Sequence, residues 1–126
     1  MTERIDFGSN TPWGGVNQTE LQLIAQQASV GPGYIRIWLL AMSKANRIGH
    51  AEFRPGALRD FLGSVNTATG EFFPADKAVV SRTIKRAKDA GLLAPESQAR
   101  CLVLSSRLFQ KAGIGSVSCR THGIAS

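Results

Sequence analysis

Apolar positions recur along the chain with two spacings, one helical and one that alternates. Leu21, Ile24, Ala25 and Ala28 fall at helical spacing behind a capping-box pattern, Thr19-x-x-Gln22. They predict a short amphipathic helix over roughly 19–29, which Gly31-Pro32-Gly33 breaks. Ile35, Trp38, Leu39 and Met42, widened by Ile37, Leu40 and Ala41, predict a central core helix over about 34–47, with Gly49 placed to end it. His50-Ala51-Glu52-Phe53-Arg54 alternates, so a short strand is expected with Ala51 and Phe53 on one side and Glu52 on the other. Pro55 suits a first helical turn, and Leu58, Phe61 and Leu62 give a helix over about 55–62 that Gly63 stops.

Residues 64–75 read as a loop or small hairpin around Thr69-Gly70. Asp76 is a candidate N-cap for a helix over about 77–90, on which Val80, Ile84 and Ala87 share one buried face. Trp38, Leu39 and Ile84 are expected to be buried together. Ala90-Gly91 ends that helix and Leu92-Leu93 begins a strand. After the turn Pro95-Glu96-Ser97, Arg100–Ser105 returns as a second strand, Cys101 and Val103 on one face and Leu102 and Leu104 on the other. Residues 1–16 form a loose arm that Phe7 and Trp13 could anchor. Residues 106–126 are Gly- and Ser-rich and read as a basic tail with one helical turn at 106–111.

This order of elements defines a mainly α (α+β) chain. Its segment Val79-Val80-Ser81-Arg82-Thr83-Ile84-Lys85-Arg86-Ala87-Lys88-Asp89-Ala90-Gly91-Leu92-Leu93 resembles the recognition helix and first wing strand of winged helix-turn-helix DNA-binding proteins. Those commonly carry Ser-Arg near the helix start and Gly-Leu leading into the wing. The resemblance covers roughly residues 33–105. GHAEFRPGALRDFLG (49–63) and ARCLVLS (99–105) also look like small helix-turn-helix proteins of actinobacteria and their phages. The residues thus divide into an arm and short extra helix at 1–31, a domain at 32–105 that the resemblance implies is a winged helix-turn-helix with a short β-hairpin wing, and a flexible basic tail at 106–126. One departure stands out: Gly63 to Asp76 encloses twelve residues, where such motifs use about three or four. Phe72 and Phe73 are expected to make this insertion a plug over the core; the alternative is a hairpin lying beside DNA.

Charge sharpens the picture. The chain has 126 residues and a formal net charge of +6. Residues 1–75 hold six basic and six acidic groups, residues 76–126 nine and three, so the excess lies in the C-terminal part. Such asymmetry favours a polyanionic partner. With Val80, Ile84 and Ala87 inward, Ala78, Arg82, Lys85 and Asp89 face outward, flanked by Ser81 and Arg86. A basic helix of this width fits the major groove of double-stranded DNA. Arg82 is the candidate base reader, because its planar fork matches guanine O6 and N7. Ala78 could touch a thymine methyl. Lys77, Lys85, Arg86 and Lys88 are phosphate candidates. In the wing only Arg100 could reach a phosphate, so the wing is expected to be mainly structural.

Other chemistries find little support. Cys119-x-x-His122 is half a zinc site, and Cys101 and His50 would have to complete it. Nothing in the spacing requires that, so no metal and no cofactor are expected, and the Cys and His of the tail read as incidental. No Gly-rich phosphate loop, carboxylate pair or Ser/His/Asp set stands out, so an enzyme is not expected. Two cysteines are too few for a disulfide scaffold, Met1–Asp6 has no apolar signal region, and no run spans a membrane. These features point to the cytoplasm. The expected function is sequence-specific transcriptional regulation, of a phage or mobile element. One alternative is an accessory DNA-binding factor in replication initiation or excision. Another is a winged-helix module that docks a protein partner. A single recognition helix reads few base pairs, which makes a homodimer attractive, with the N-terminal helix as its contact.

Overall fold

The computed structural model describes residues 5–8, 10–113 and 115–125. The remaining positions of the expected arm and tail lie outside the described residues. Helix α1 is Gln18–Ala25, followed by a 3-10 turn at Ala28–Val30, and α2 is Gly33–Lys44. Strand β1 (His50–Glu52) leads to α3 (Ala57–Phe61), the hairpin β2 (Ser64–Val65) and β3 (Phe72–Phe73), α4 (Lys77–Asp89) and β4 (Cys101–Val103). Among the described residues the fold is thus mixed α+β, with four α-helices and small antiparallel sheets. Among the described residues no helix is long and apolar enough to cross a membrane.

The first helix departs most from the sequence expectation. Asn17, not Thr19, caps it: its side chain accepts from Glu20 N at 3.1 Å. The helix ends at Ala25, so Ala28 falls in the 3-10 turn and the expected apolar stripe is cut short. Ala25 is buried, yet Leu23 and Ile24 stay exposed. Arg36 on α2 explains the early stop, because its Nε donates to Ala25 O at 3.0 Å and its Nη2 to Gln26 O at 3.3 Å. A side chain that satisfies end carbonyls competes with further helical turns.

Helices α2 and α4 form the centre. Ile37, Leu40 and Ala41 of α2 meet Val80, Ile84 and Ala87 of α4 in one buried cluster, completed by Ala51, Phe53, Leu58, Leu93, Leu102 and Leu104. Of the three residues expected to be buried together only Ile84 is; Trp38 and Leu39 are half-buried and pack against this cluster from its edge. Asp76 occupies the N-cap of α4 but makes no side-chain cap bond. The other end closes at Gly91, whose φ of +77° suits glycine. Gly91 N donates to Lys88 O and Leu92 N to Ala87 O, the paired bonds of a Schellman ending.

Strand β1 pairs antiparallel with β4, Ala51 opposite Leu102 and Glu52 opposite Cys101. The outer edge of β4 meets the chain leaving α4 through a single bridge, Leu93 to Leu104, so the strand expected at Leu92-Leu93 is reduced to that contact. Ala51 and Leu102 face the helices. His50, Cys101 and Val103 face the opposite side and are nonetheless buried. Strand β4 is therefore covered on both faces.

The cover on the second face is the C-terminal segment, read from sequence as a loose tail. Arg47 N donates to Ser116 O at 3.0 Å, and Asn46 Nδ2 to Ser118 O at 2.9 Å. Cys119 is fully buried against Cys101 and Val103. Lys111 Nζ reaches Ala45 O at 3.3 Å at the end of α2. One turn does form near 106–111, with Phe109 N donating to Ser105 O. The N-terminal arm joins it through Gln110, which bonds Asp6 N and Asp6 O. The Phe7 and Trp13 rings meet at a tilt with their centres 6.4 Å apart, Trp13 staying largely exposed.

The insertion is a hairpin, as one reading of 64–75 allowed, but not a plug. Phe72 and Phe73 are each 46% exposed and stand outside the core cluster. Adjacent residues in a strand point to opposite faces, so the pair cannot both enter one core. The base of the insertion is clamped: Arg59 Nε donates to Ala75 O at 2.8 Å and Ala75 N to Arg59 O at 2.9 Å.

Candidate functional site

Seven of the eight sequence-selected residues lie on α4, whose 13 residues make a rod of about 20 Å. Because Val80, Ile84 and Ala87 are buried, Ala78, Arg82, Lys85 and Asp89 point outward and are exposed, as the periodicity required. Lys77, Ser81 and Arg86 are also exposed, while Lys88 is half-buried. The cationic groups differ in what holds them. Lys85 Nζ lies 2.9 Å from Asp89 Oδ2, one turn on. The Arg86 guanidinium sits 4.8 Å from the centre of the Tyr34 ring, an attraction of the cation–π kind. Arg82 makes no hydrogen bond or ion pair among the described residues and is exposed, so its guanidinium is available to a ligand.

Two concavities flank this face. Tyr34, Arg82, Lys85, Arg86 and Asp89 line one open cleft against the start of α2. On the other flank Lys77 and Ser81 share a groove with Arg59 and Arg100. Arg100 Nε donates to Phe53 O at 2.9 Å, which fixes the stem of this side chain beside the end of β1. The structure thus brings Arg100 to the N-terminal flank of α4. Tyr34 and Arg59 were not singled out by the sequence. An aromatic residue at a helix start and an arginine in a short helix carry no spacing signal of their own.

The turn of the 92–105 hairpin is built for rigidity. Ser97 is buried, its Oγ accepting from Val103 N at 2.8 Å and donating to Val103 O at 3.0 Å.

A second constellation overturns the expectation that the Cys and His of the tail are incidental. His50, Cys101, Cys119 and His122 come together, and their donor atoms all lie within 4.8 Å of one another. Cys101 Sγ is 3.6 Å from His50 Nδ1 and 3.6 Å from Cys119 Sγ, and Cys119 Sγ is 3.3 Å from His122 Nδ1. The β1–β4 register puts His50 and Cys101 on the same face, and the C-terminal segment delivers the other two. Burial, then His122, holds the His50 imidazole below its ordinary value, against the raising effects of Glu96 and Glu52. Burial, then Cys119, pushes the Cys101 thiol up to about 12. Besides the Cys119-x-x-His122 spacing, the sequence held one further signal for this site. Leu102 and Leu104 commit one face of β4 to the core, yet Cys101 and Val103 on the other face are also apolar, and a strand buried on both sides needs a second cover.

No family model, curated protein or solved structure matches this chain.

Proposed function

We propose that this chain is a double-stranded DNA-binding protein of winged helix-turn-helix type that regulates transcription. In this reading α4 is the recognition helix, inserted in the major groove, and the 92–105 hairpin is the wing. The observation that carries it is the outward face of α4. Arg82 is exposed and uncommitted there, with Lys85 and Arg86 beside it and Lys77 and Arg100 on the flank. A cationic face of one helix, backed by a rigid apolar face, supplies both phosphate contacts and a base-reading fork. The element order α2, β1, α3, α4, hairpin supports the same reading. In this reading the β2–β3 hairpin, with its half-exposed Phe72 and Phe73, replaces the short turn of a simple helix-turn-helix.

A homodimer follows from the small footprint of one helix. Exposed Leu23 and Ile24 support α1 as its contact. The test is selection of bound sequences from random duplex DNA by the full chain, with molar mass measured in parallel. A palindromic consensus bound by a dimer is the expected result. Absence of binding to any duplex at low salt overturns the proposal and leaves a protein-docking module as the better reading.

A further inference from the structure

The four side chains His50, Cys101, Cys119 and His122 are too well matched to one another for an apolar contact. We infer that they hold a structural zinc ion that staples the C-terminal segment to the β1–β4 sheet. This inference is independent of the DNA-binding reading.

The geometry comes first. In a tetrahedral site with metal–sulfur bonds of about 2.3 Å and metal–nitrogen bonds of about 2.05 Å, sulfurs sit about 3.8 Å apart and sulfur and nitrogen about 3.6 Å apart. The observed separations are 3.6 Å between the two sulfurs and 3.6 and 3.3 Å for two sulfur–nitrogen pairs, and all four donors lie within 4.8 Å, so the widest pair would draw in by about 1 Å around an ion. Four donors of soft and borderline character, two thiols and two imidazoles, are the set that selects zinc over magnesium or calcium. With four protein ligands no position remains open for substrate, so the ion would be structural.

The surroundings of the donors agree. His122 Nε2 donates to Glu96 O at 2.8 Å, which leaves Nδ1 as the lone-pair nitrogen, on the side of Cys119. Metal-bound histidines are oriented in this way by a bond from their other ring nitrogen. The Cys119–His122 turn is closed by paired backbone bonds between Cys119 and Ile124, and Glu52 Oε1 accepts from Thr121 N at 3.1 Å. Asn46 fixes the other side: its Oδ1 accepts from His50 N and its Nδ2 donates to Ser118 O. A Cys101–Cys119 disulfide would use neither imidazole and would leave this orientation of two histidines without a purpose. Both thiols are free.

The ion would join three separate stretches of chain: β1 through His50, β4 through Cys101, and the C-terminal segment through Cys119 and His122. Through Glu96 it would also pin the turn of the 92–105 hairpin.

The test uses the full chain purified without chelator, in reducing buffer and with zinc in the medium. Elemental analysis should find about one zinc per chain, as one four-ligand site requires. Cobalt(II) exchanged into the protein should give the strong visible absorption of a tetrahedral thiolate site. Cys119→Ser and His122→Ala should each lose the metal, while Arg120→Ala, inside the same turn, should keep it. Because these variants could also misfold, the wild-type chain is measured as well. A chelator should lower its Tm and expose both thiols to alkylation, and added zinc should reverse both, with Tm rising as free zinc rises. Substoichiometric metal, metal retained in Cys119→Ser, or an internal disulfide found in place of two thiols would each overturn the inference.

Discussion

Gly63 stands where the chain leaves α3 and enters the β2–β3 hairpin, and replacing it with alanine tests whether that hairpin is fixed in place. A Cβ built there lies 2.6 Å from Phe72 Cζ and 2.6 Å from Phe73 O. The Phe72 ring is half-exposed and can swing aside. The carbonyl cannot move alone, because Phe73 is paired with Ser64 and the base of the hairpin is held by the two Arg59–Ala75 bonds. Carbon and carbonyl oxygen ordinarily meet at about 3.3 Å or more, so the hairpin must shift by roughly 0.7 Å. Overpacking of this kind costs about 1–3 kcal/mol. The reduced freedom of the unfolded alanine chain offsets about 0.4–1 kcal/mol of it. A net loss of about 1–2 kcal/mol lowers Tm by about 3–10 °C for a chain of this size. Thermal and urea unfolding of Gly63→Ala should show it. The double variant with Phe72→Ala should recover part of the loss, since the ring is removed and the carbonyl stays. An unchanged or raised Tm in Gly63→Ala would refute the argument, because it would mean that the hairpin moves freely about its base.

Three further outcomes are expected. Arg82→Ala should weaken binding to the selected DNA site by about 1–3 kcal/mol and relax discrimination at one position, whereas Lys85→Ala should weaken all duplexes alike and reduce the salt slope by about one unit; fluorescence anisotropy across a salt series separates the two, and equal small losses in both would count against α4 as the reading helix. Ile84→Ala removes a side chain that is 6% exposed in the α2–α4 core and should cost about 2–5 kcal/mol in urea unfolding, with a loss below about 0.5 kcal/mol placing that face outside the core. Asn46→Ala removes the acceptor for Ile48 N and His50 N and the donor to Ser118 O, and should cost about 1–3 kcal/mol in thermal unfolding and loosen the C-terminal segment to proteolysis; an unchanged cleavage rate would show that the segment is held by other contacts.

The local elements were legible because their causes are local. Helices α2 and α4 follow from apolar spacing, their bounds within a few residues of expectation, and the buried face Val80, Ile84 and Ala87 follows from 100° per residue. The alternation at 50–53 gave the right faces for Ala51 and Phe53, since a strand side chain has two directions to choose from. The outward set on α4 is the complement of that buried face, so the exposure of Ala78, Arg82, Lys85 and Asp89 was readable for the same reason. The end of α1 was not readable, because Arg36, eleven residues beyond Ala25, satisfies its last carbonyls.

Tertiary structure decided what needed distant segments to meet. His50 and Cys101 share a face through the β1–β4 register, a pairing 51 residues apart that no periodicity encodes. Cys119 and His122 join them because the second face of β4 must be covered and the C-terminal segment is the chain that reaches it. The spacing Cys-x-x-His marks half of a metal site and nothing more. Whether the other half exists depends on which strand faces which segment, and burial of a two-sided strand is a property of the folded chain, not of any stretch of it.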